Sequence, residues 1–200
     1  MSAETVSRRA FLAAAGASLG SAWLAAQPGD LAASLIRAAD ARRAAQRGEP
    51  LPPCEVLTPE QAADIEAIAA QIVPTDDLPG ARAAHVLSFV DHSLATWAQN
   101  QRQPLLDGLA QFNTAVSQQY PGMQRFAQLT NDQQIEFLRA NERNRFFREL
   151  RFATLIGMFS NPANGGNFEK AGYRVLGYDD RYVWRPPFGW YDDKANGGPN

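Results

Sequence analysis

The chain has one cysteine and two histidines across 200 residues. A lone cysteine excludes an internal disulfide, a thiolate zinc cluster and a C-x-x-C-H haem attachment. Two histidines exclude a three-histidine metal site. A formal net charge of −2 lacks the basic surplus of a nucleic-acid binder. No G-x-G-x-x-G follows a strand pattern, no P-loop occurs and no internal repeat is visible. The commoner covalently held or metal-held redox centres are therefore excluded. The chain does something else, or acts through a partner. What it does have is 45% apolar and 10% aromatic residues, enough for the core of one ordinary domain.

The first 26 residues read as an address. Ser7-Arg8-Arg9-Ala10-Phe11-Leu12 precedes an uncharged Ala/Gly-rich stretch, Ala13 to Ala26. That is a charged region followed by a weakly apolar one, as in a signal peptide. The stretch is too short and too rich in small residues to be a good permanent anchor. Arg8, Arg9, Phe11 and Leu12 match a twin-arginine export signal, with Ala13 where a lysine often stands; an ordinary secretory signal is the bland alternative. The twin-arginine route moves folded proteins, either carrying a cofactor or bound to a partner that does. A lipoprotein signal is excluded, because Cys54 lies far past any signal and follows Leu51-Pro52-Pro53.

Residues 27–56 read as a leader. An Ala/Arg-rich stretch over 30–47 could form a helix that is marginal alone, and Gly48 to Pro53 would break it. A helical domain is expected over 57–160. Thr58-Pro59-Glu60-Gln61 is a capping box with proline at the first helical position. Ile65, Ile68 and Ile72 form its apolar stripe, and Pro74 ends it. Further helices are expected over 81–97, over 104–119 with Leu105, Leu109, Phe112 and Val116 inward, and from a second capping box at Thr130. The last helix, over 144–159, is apolar around nearly its whole circumference from Phe152 on. That predicts either a central core helix or one covered by a second chain. From Asn161 the periodicity disappears, and Phe168, Tyr173, Tyr178, Tyr182, Trp184, Phe188, Trp190 and Tyr191 crowd together without period. So much aromatic area must pack somewhere, on its own helices or in a partner's groove. The fold class is all-α: a small helical domain with an irregular aromatic-rich arm over 161–200.

The candidate chemistry is sparse. His85 and His92 share a predicted helix face but stand about 10.5 Å apart in rise, too far to share one metal. Asp76-Asp77 could be an acid–base pair, but its proline-bounded turn favours capping the next helix. Arg139, Arg143, Arg145, Arg148 and Arg151, interleaved with Glu136, Glu142 and Glu149, read as a solvated face, with a partner-facing patch as the alternative. Cys54 in a Pro-rich surface segment is either an intersubunit disulfide or an inert thiol. Phe152, Phe159, Trp184, Phe188, Trp190 and Tyr191 are the candidates for a partner interface.

Taken together, several segments resemble the small-subunit (subunit 3, gamma) family of gluconate 2-dehydrogenase. They are Leu57-Thr58-Pro59-Glu60, Ile72-Val73-Pro74-Thr75-Asp76-Asp77 with Pro79-Gly80-Ala81-Arg82, and Phe89-Val90-Asp91. Phe146-Phe147 and Gly157-Met158-Phe159-Ser160-Asn161-Pro162 with Gly165-Gly166-Asn167 complete the set. The resemblance spans roughly residues 55–182; Asn164 and Tyr173 stand where the family usually has aromatic and tryptophan residues. It implies a subunit without its own cofactor or catalytic residues. Its partners would be a large FAD-dependent sugar or alcohol dehydrogenase and often a multihaem c-type cytochrome. It also implies a role in maturing the flavoprotein and exporting it through the twin-arginine translocase, hence a periplasmic, membrane-associated complex. An independent exported enzyme using His85, His92 or Asp76-Asp77, and a solitary periplasmic binding module, are the readings from other classes. The substrate would be chosen on another chain, so gluconate, glucose, fructose and sorbitol stay open.

Overall fold

Thr58 and Thr130 start helices as their sequences predict. Each side-chain oxygen accepts the N–H of the glutamine three residues on, and that glutamine's side chain accepts the threonine's own N–H. The structure, a computed structural model, describes residues 28–178 and 180. Those residues form seven α-helices and no strand: α1 (Pro28–Gln46), α2 (Pro59–Ile72), α3 (Val86–Ala95), α4 (Gln99–Gln119), α5 (Asn131–Ala140), α6 (Arg145–Phe159) and α7 (Ala171–Val175). Single 3-10 turns lie at Phe126–Gln128, Pro162–Asn164 and Phe168–Lys170. The chain is all-α, as expected. No described helix is long and apolar enough to cross a membrane.

The leader helix α1 buries Ala38, Ala41 and Ala44 on one stripe. Alanines let backbones approach closely, and α1 packs on α3 and on the turn at Pro162–Asn164. Arg42 donates to the Pro162 carbonyl, and Arg37 pairs with Glu55 at 2.9 Å. Tertiary contact thus supports a helix whose own sequence is weak.

The core gathers around α6, which touches α2, α3, α4 and α7. Phe112 of α4 stands at the centre of an aromatic cluster, with ring centroids 4.9 Å from Phe137, 5.1 Å from Phe146 and 6.1 Å from Phe126. Such edge-on and tilted pairs add to simple area burial. Leu105, Leu109 and Val116 are buried as expected, and Phe137 joins Leu138 as the buried residues of α5, leaving Ile135 half-buried.

Three expectations need correction. The helix predicted over 81–97 begins at Val86, because His85 adopts a left-handed conformation (φ 54°) that ends the preceding turn. The helix predicted over 104–119 begins earlier, at Gln99, with Pro104 inside it. The proline deprives the Asn100 carbonyl of its helical donor, but Asn100 is exposed and water replaces it. Third, α6 is central without being buried all round. Phe146, Phe147, Leu150, Ala153, Gly157 and Met158 face inward, whereas Leu155 is 36% exposed and Phe152, Ile156 and Phe159 are half-buried.

Candidate functional site

Two buried carboxylates, Asp91 and Asp64, hold the chain together. Asp91, only 3% exposed on α3, accepts the backbone N–H groups of Glu55 at 2.7 Å and of Val56 and Leu57 at 3.0 Å. One carboxylate therefore seats the end of the leader on the domain. Asp64 of α2, also buried, accepts from Ala127 N–H and from the Asn113 side chain, both at 2.8 Å. Asn113 in turn accepts from Phe126 N–H at 3.0 Å. That network pins the Phe126 turn to α2 and α4. Charges buried in this way are tolerated because several donors converge on them.

The two histidines do not share a helix face. His85 lies before α3 and stacks on Phe168, with ring centroids 4.1 Å apart. His92 lies within α3, half-buried, with Nδ1 unpartnered beneath Gly165. Burial lowers the pKa of His85, against an opposing pull from Glu169. Burial likewise lowers His92; Arg37 pushes the same way, and Asp91 and Glu55 oppose. Among the described residues no three His, Cys, Asp or Glu side chains converge as a metal would require.

Asp76 and Asp77 are exposed, and Asp76 closes its own turn by accepting the Leu78 N–H at 2.8 Å. The turn is tight: Ala81 donates to the Val73 carbonyl at 2.9 Å, and a Cβ on Gly80 would run into the Pro74 and Thr75 backbone. Cys54 is half-buried against the core, and burial, with Asp91 and Glu66, pushes its thiol up to about 11.

The Gly165-Gly166-Asn167 segment has a structural explanation. Gly165 takes a positive φ of 95°, as glycine permits, but Gly166 is there for closeness. Its missing side chain lets the backbone rest on Gly157 of α6. Asn167 donates its N–H to the Gly157 carbonyl at 2.7 Å and its side-chain amide to the Ser160 carbonyl at 2.8 Å. Its Oδ1 accepts from Gly172 N–H at 2.8 Å. The Gly157 and Ser160 carbonyls at the end of α6 are thereby satisfied. Sequence reading marked this segment as a turn and missed the tie it makes.

Of the expected interface residues, Phe152 and Phe159 lie half-buried on the outward side of α6. Trp184, Phe188, Trp190 and Tyr191, and the signal residues Arg8, Arg9, Phe11 and Leu12, lie outside the described residues. A feature that sequence reading missed is an open groove of about 650 Å³ between α2, α5 and α6. Its floor is Ile72, Pro74, Ile135, Leu138 and Phe147, and Arg139 and Arg151 stand at its rim. These residues come from distant parts of the chain, so no local signal could have gathered them.

The turn at 73–81 and the Gly157–Asn167 tie both lie inside a stretch, residues 59–179, that matches the family model for gluconate 2-dehydrogenase subunit 3. The chain belongs to that family. No curated protein and no solved structure matches it. Membership makes the chain a subunit-3-like component of a gluconate 2-dehydrogenase type of oxidoreductase complex. Within the family match, Gly80, Asp91, Gly166 and Asn167 each serve backbone geometry.

Proposed function

We propose that this family member is a non-catalytic small subunit of a periplasmic, membrane-associated, FAD-dependent sugar or alcohol dehydrogenase. It binds the flavoprotein large subunit, favours its folded flavin-bound state and carries it through the twin-arginine translocase. FAD belongs to that large subunit, and haem c to a cytochrome subunit where one is present. The observation that carries this reading is the family match over residues 59–179. It is supported by Ser7-Arg8-Arg9-Ala10-Phe11-Leu12 at the front of the same chain. His85 stacks on Phe168 and the buried carboxylates hold backbone N–H groups, which favours a partner role over an independent enzyme. A chain that binds only the native flavoprotein stabilises it by mass action.

The test is co-expression of the flavoprotein subunit with the full chain, with the Arg8→Lys/Arg9→Lys variant, and alone. Flavin-containing dehydrogenase activity in the periplasm should be high only with the unaltered chain. Equal yield, export and activity in all three overturns the reading.

A further inference from the structure

The groove between α2, α5 and α6 has the composition of a docking site. Ile72 and Pro74, Ile135 and Leu138 of α5, and Phe147 of α6 supply its apolar lining. Apolar surface continues beyond it: the turn that carries Pro74 exposes Leu78 at 46%, and one helical turn past Arg151 lies Leu155. Its wall is rigid. Gln71 of α2 donates to Asn131 at 2.9 Å and to Gln134 at 2.8 Å, which ties α2 to the start of α5.

The rim carries unanswered positive charge. Arg139 and Arg151 are exposed, and neither forms an ion pair among the described residues. Nor do the neighbouring Arg143 and Arg148. Glu142 is the one carboxylate that lines the groove. By contrast Arg145, on the same helix, is paired with Glu149 at 2.8 Å. This local surplus stands on a chain whose formal net charge is −2. Two guanidiniums over an apolar floor recognise carboxylates that flank apolar side chains, because the planar fork binds a carboxylate through two hydrogen bonds. A small ligand is disfavoured, since pockets for such ligands enclose most of the ligand surface and this groove is open.

We infer that this groove is where the chain holds its flavoprotein partner, by a segment of that subunit presenting apolar residues flanked by Asp or Glu. The inference rests on the proposed function and adds the surface and the chemistry of the contact. Charge complementarity sets which segment is chosen, and the apolar floor supplies the burial.

The experiment co-expresses the full chain with the flavoprotein subunit. A photo-crosslinking p-benzoylphenylalanine is placed at Ile135 and, as a control outside the groove, at Arg102. In parallel, Arg139→Glu/Arg151→Glu is compared with Arg139→Lys/Arg151→Lys, and thermal melting of each purified chain confirms that it folds. The Ile135 probe should cross-link to a flavoprotein peptide with acidic residues beside apolar ones, and the Arg102 probe should not. Charge reversal should cut co-purified flavin about tenfold, equivalent to about 1.4 kcal/mol, and the lysine pair should retain most of it. Undiminished flavin with the reversed pair, or an Ile135 cross-link only to a second copy or to this chain's own residues 181–200, overturns the groove while leaving the subunit reading intact. An unaltered chain that retains no flavoprotein overturns both.

Discussion

The carboxylate of Asp91 accepts the backbone N–H of Leu57 at 3.0 Å, a bond across 34 positions of sequence at the junction of leader and domain. The same carboxylate holds Glu55 and Val56. Asp91→Ala leaves three backbone donors without their acceptor. Hydrogen bonds to a charged group contribute about 1.5–3 kcal/mol each, and water will replace some of them, so a loss of about 3 kcal/mol is expected. Thermal melting should fall by about 6–12 °C. Limited proteolysis within residues 47–57 should then be faster than in the native chain. A melting change of less than about 2 °C would show that the clamp is dispensable.

Glycines within one chain should respond very differently to the same added methyl. At Gly166 a Cβ meets the Gly157 backbone, which has no side chain to move aside. Gly166→Ala should cost about 3 kcal/mol, the upper end for overpacking. At Gly48 a Cβ meets nothing within 4 Å, and only its positive φ of 68° resists substitution. Gly48→Ala should cost about 1 kcal/mol. Denaturant midpoints of the two variants, measured side by side, check the order; equal midpoints would contradict the close approach.

Stability should fall on acidification through the histidines. Both His85 and His92 have pKa values lowered by burial. Above about pH 6.5 each is neutral in the folded and the unfolded chain, so neither affects the balance. As the pH drops below that, the unfolded chain takes up protons first, so stability falls until the lowered folded values are passed and stays at the reduced level below them. Denaturant unfolding at pH 7.5 and at 5.5 should show the loss, and the His85→Asn/His92→Gln variant should show less of it. An identical slope in variant and native chain would refute the assignment.

Cys54 should react slowly. With its pKa at about 11, only about one thiol in a thousand is ionised at pH 8, and the thiolate is the reactive form. Alkylation by iodoacetamide should be at least about a hundredfold slower in the native chain than in denaturant. Native labelling at the denatured rate would show an accessible, ordinary thiol. The same samples, run on non-reducing and reducing gels with the partner subunits, decide whether the thiol bridges to another chain.

Much of the fold was legible because its signals are local. Thr58 with Gln61, and Thr130 with Gln133, bring the capping atoms together within one helical turn, so sequence spacing and spatial contact coincide. The stripe Leu105, Leu109, Phe112 and Val116 repeats with the helix period and is buried. Where neighbours in space are distant in sequence, reading failed. Phe137 and Phe126 reach the aromatic cluster through packing of α5 and a 3-10 turn on α4. The left-handed turn at His85, stacked on Phe168, arises from a contact between residues more than eighty positions apart.

The sequence by itself determined the helical class, the two capped helix starts at Thr58 and Thr130 and the family, since capping, apolar period and motif residues are properties of short stretches of chain. Only the tertiary structure decided what the motif residues do and where a surface is open. Asp76 reads as a candidate for acid–base chemistry, and Asp91 and Asn167 only as parts of family-like segments; their geometry makes all three acceptors for backbone N–H groups. The groove rimmed by Arg139 and Arg151 exists because three helices meet there. Burial and convergence depend on which parts of the chain come together, and that is settled by the packing of all the helices at once.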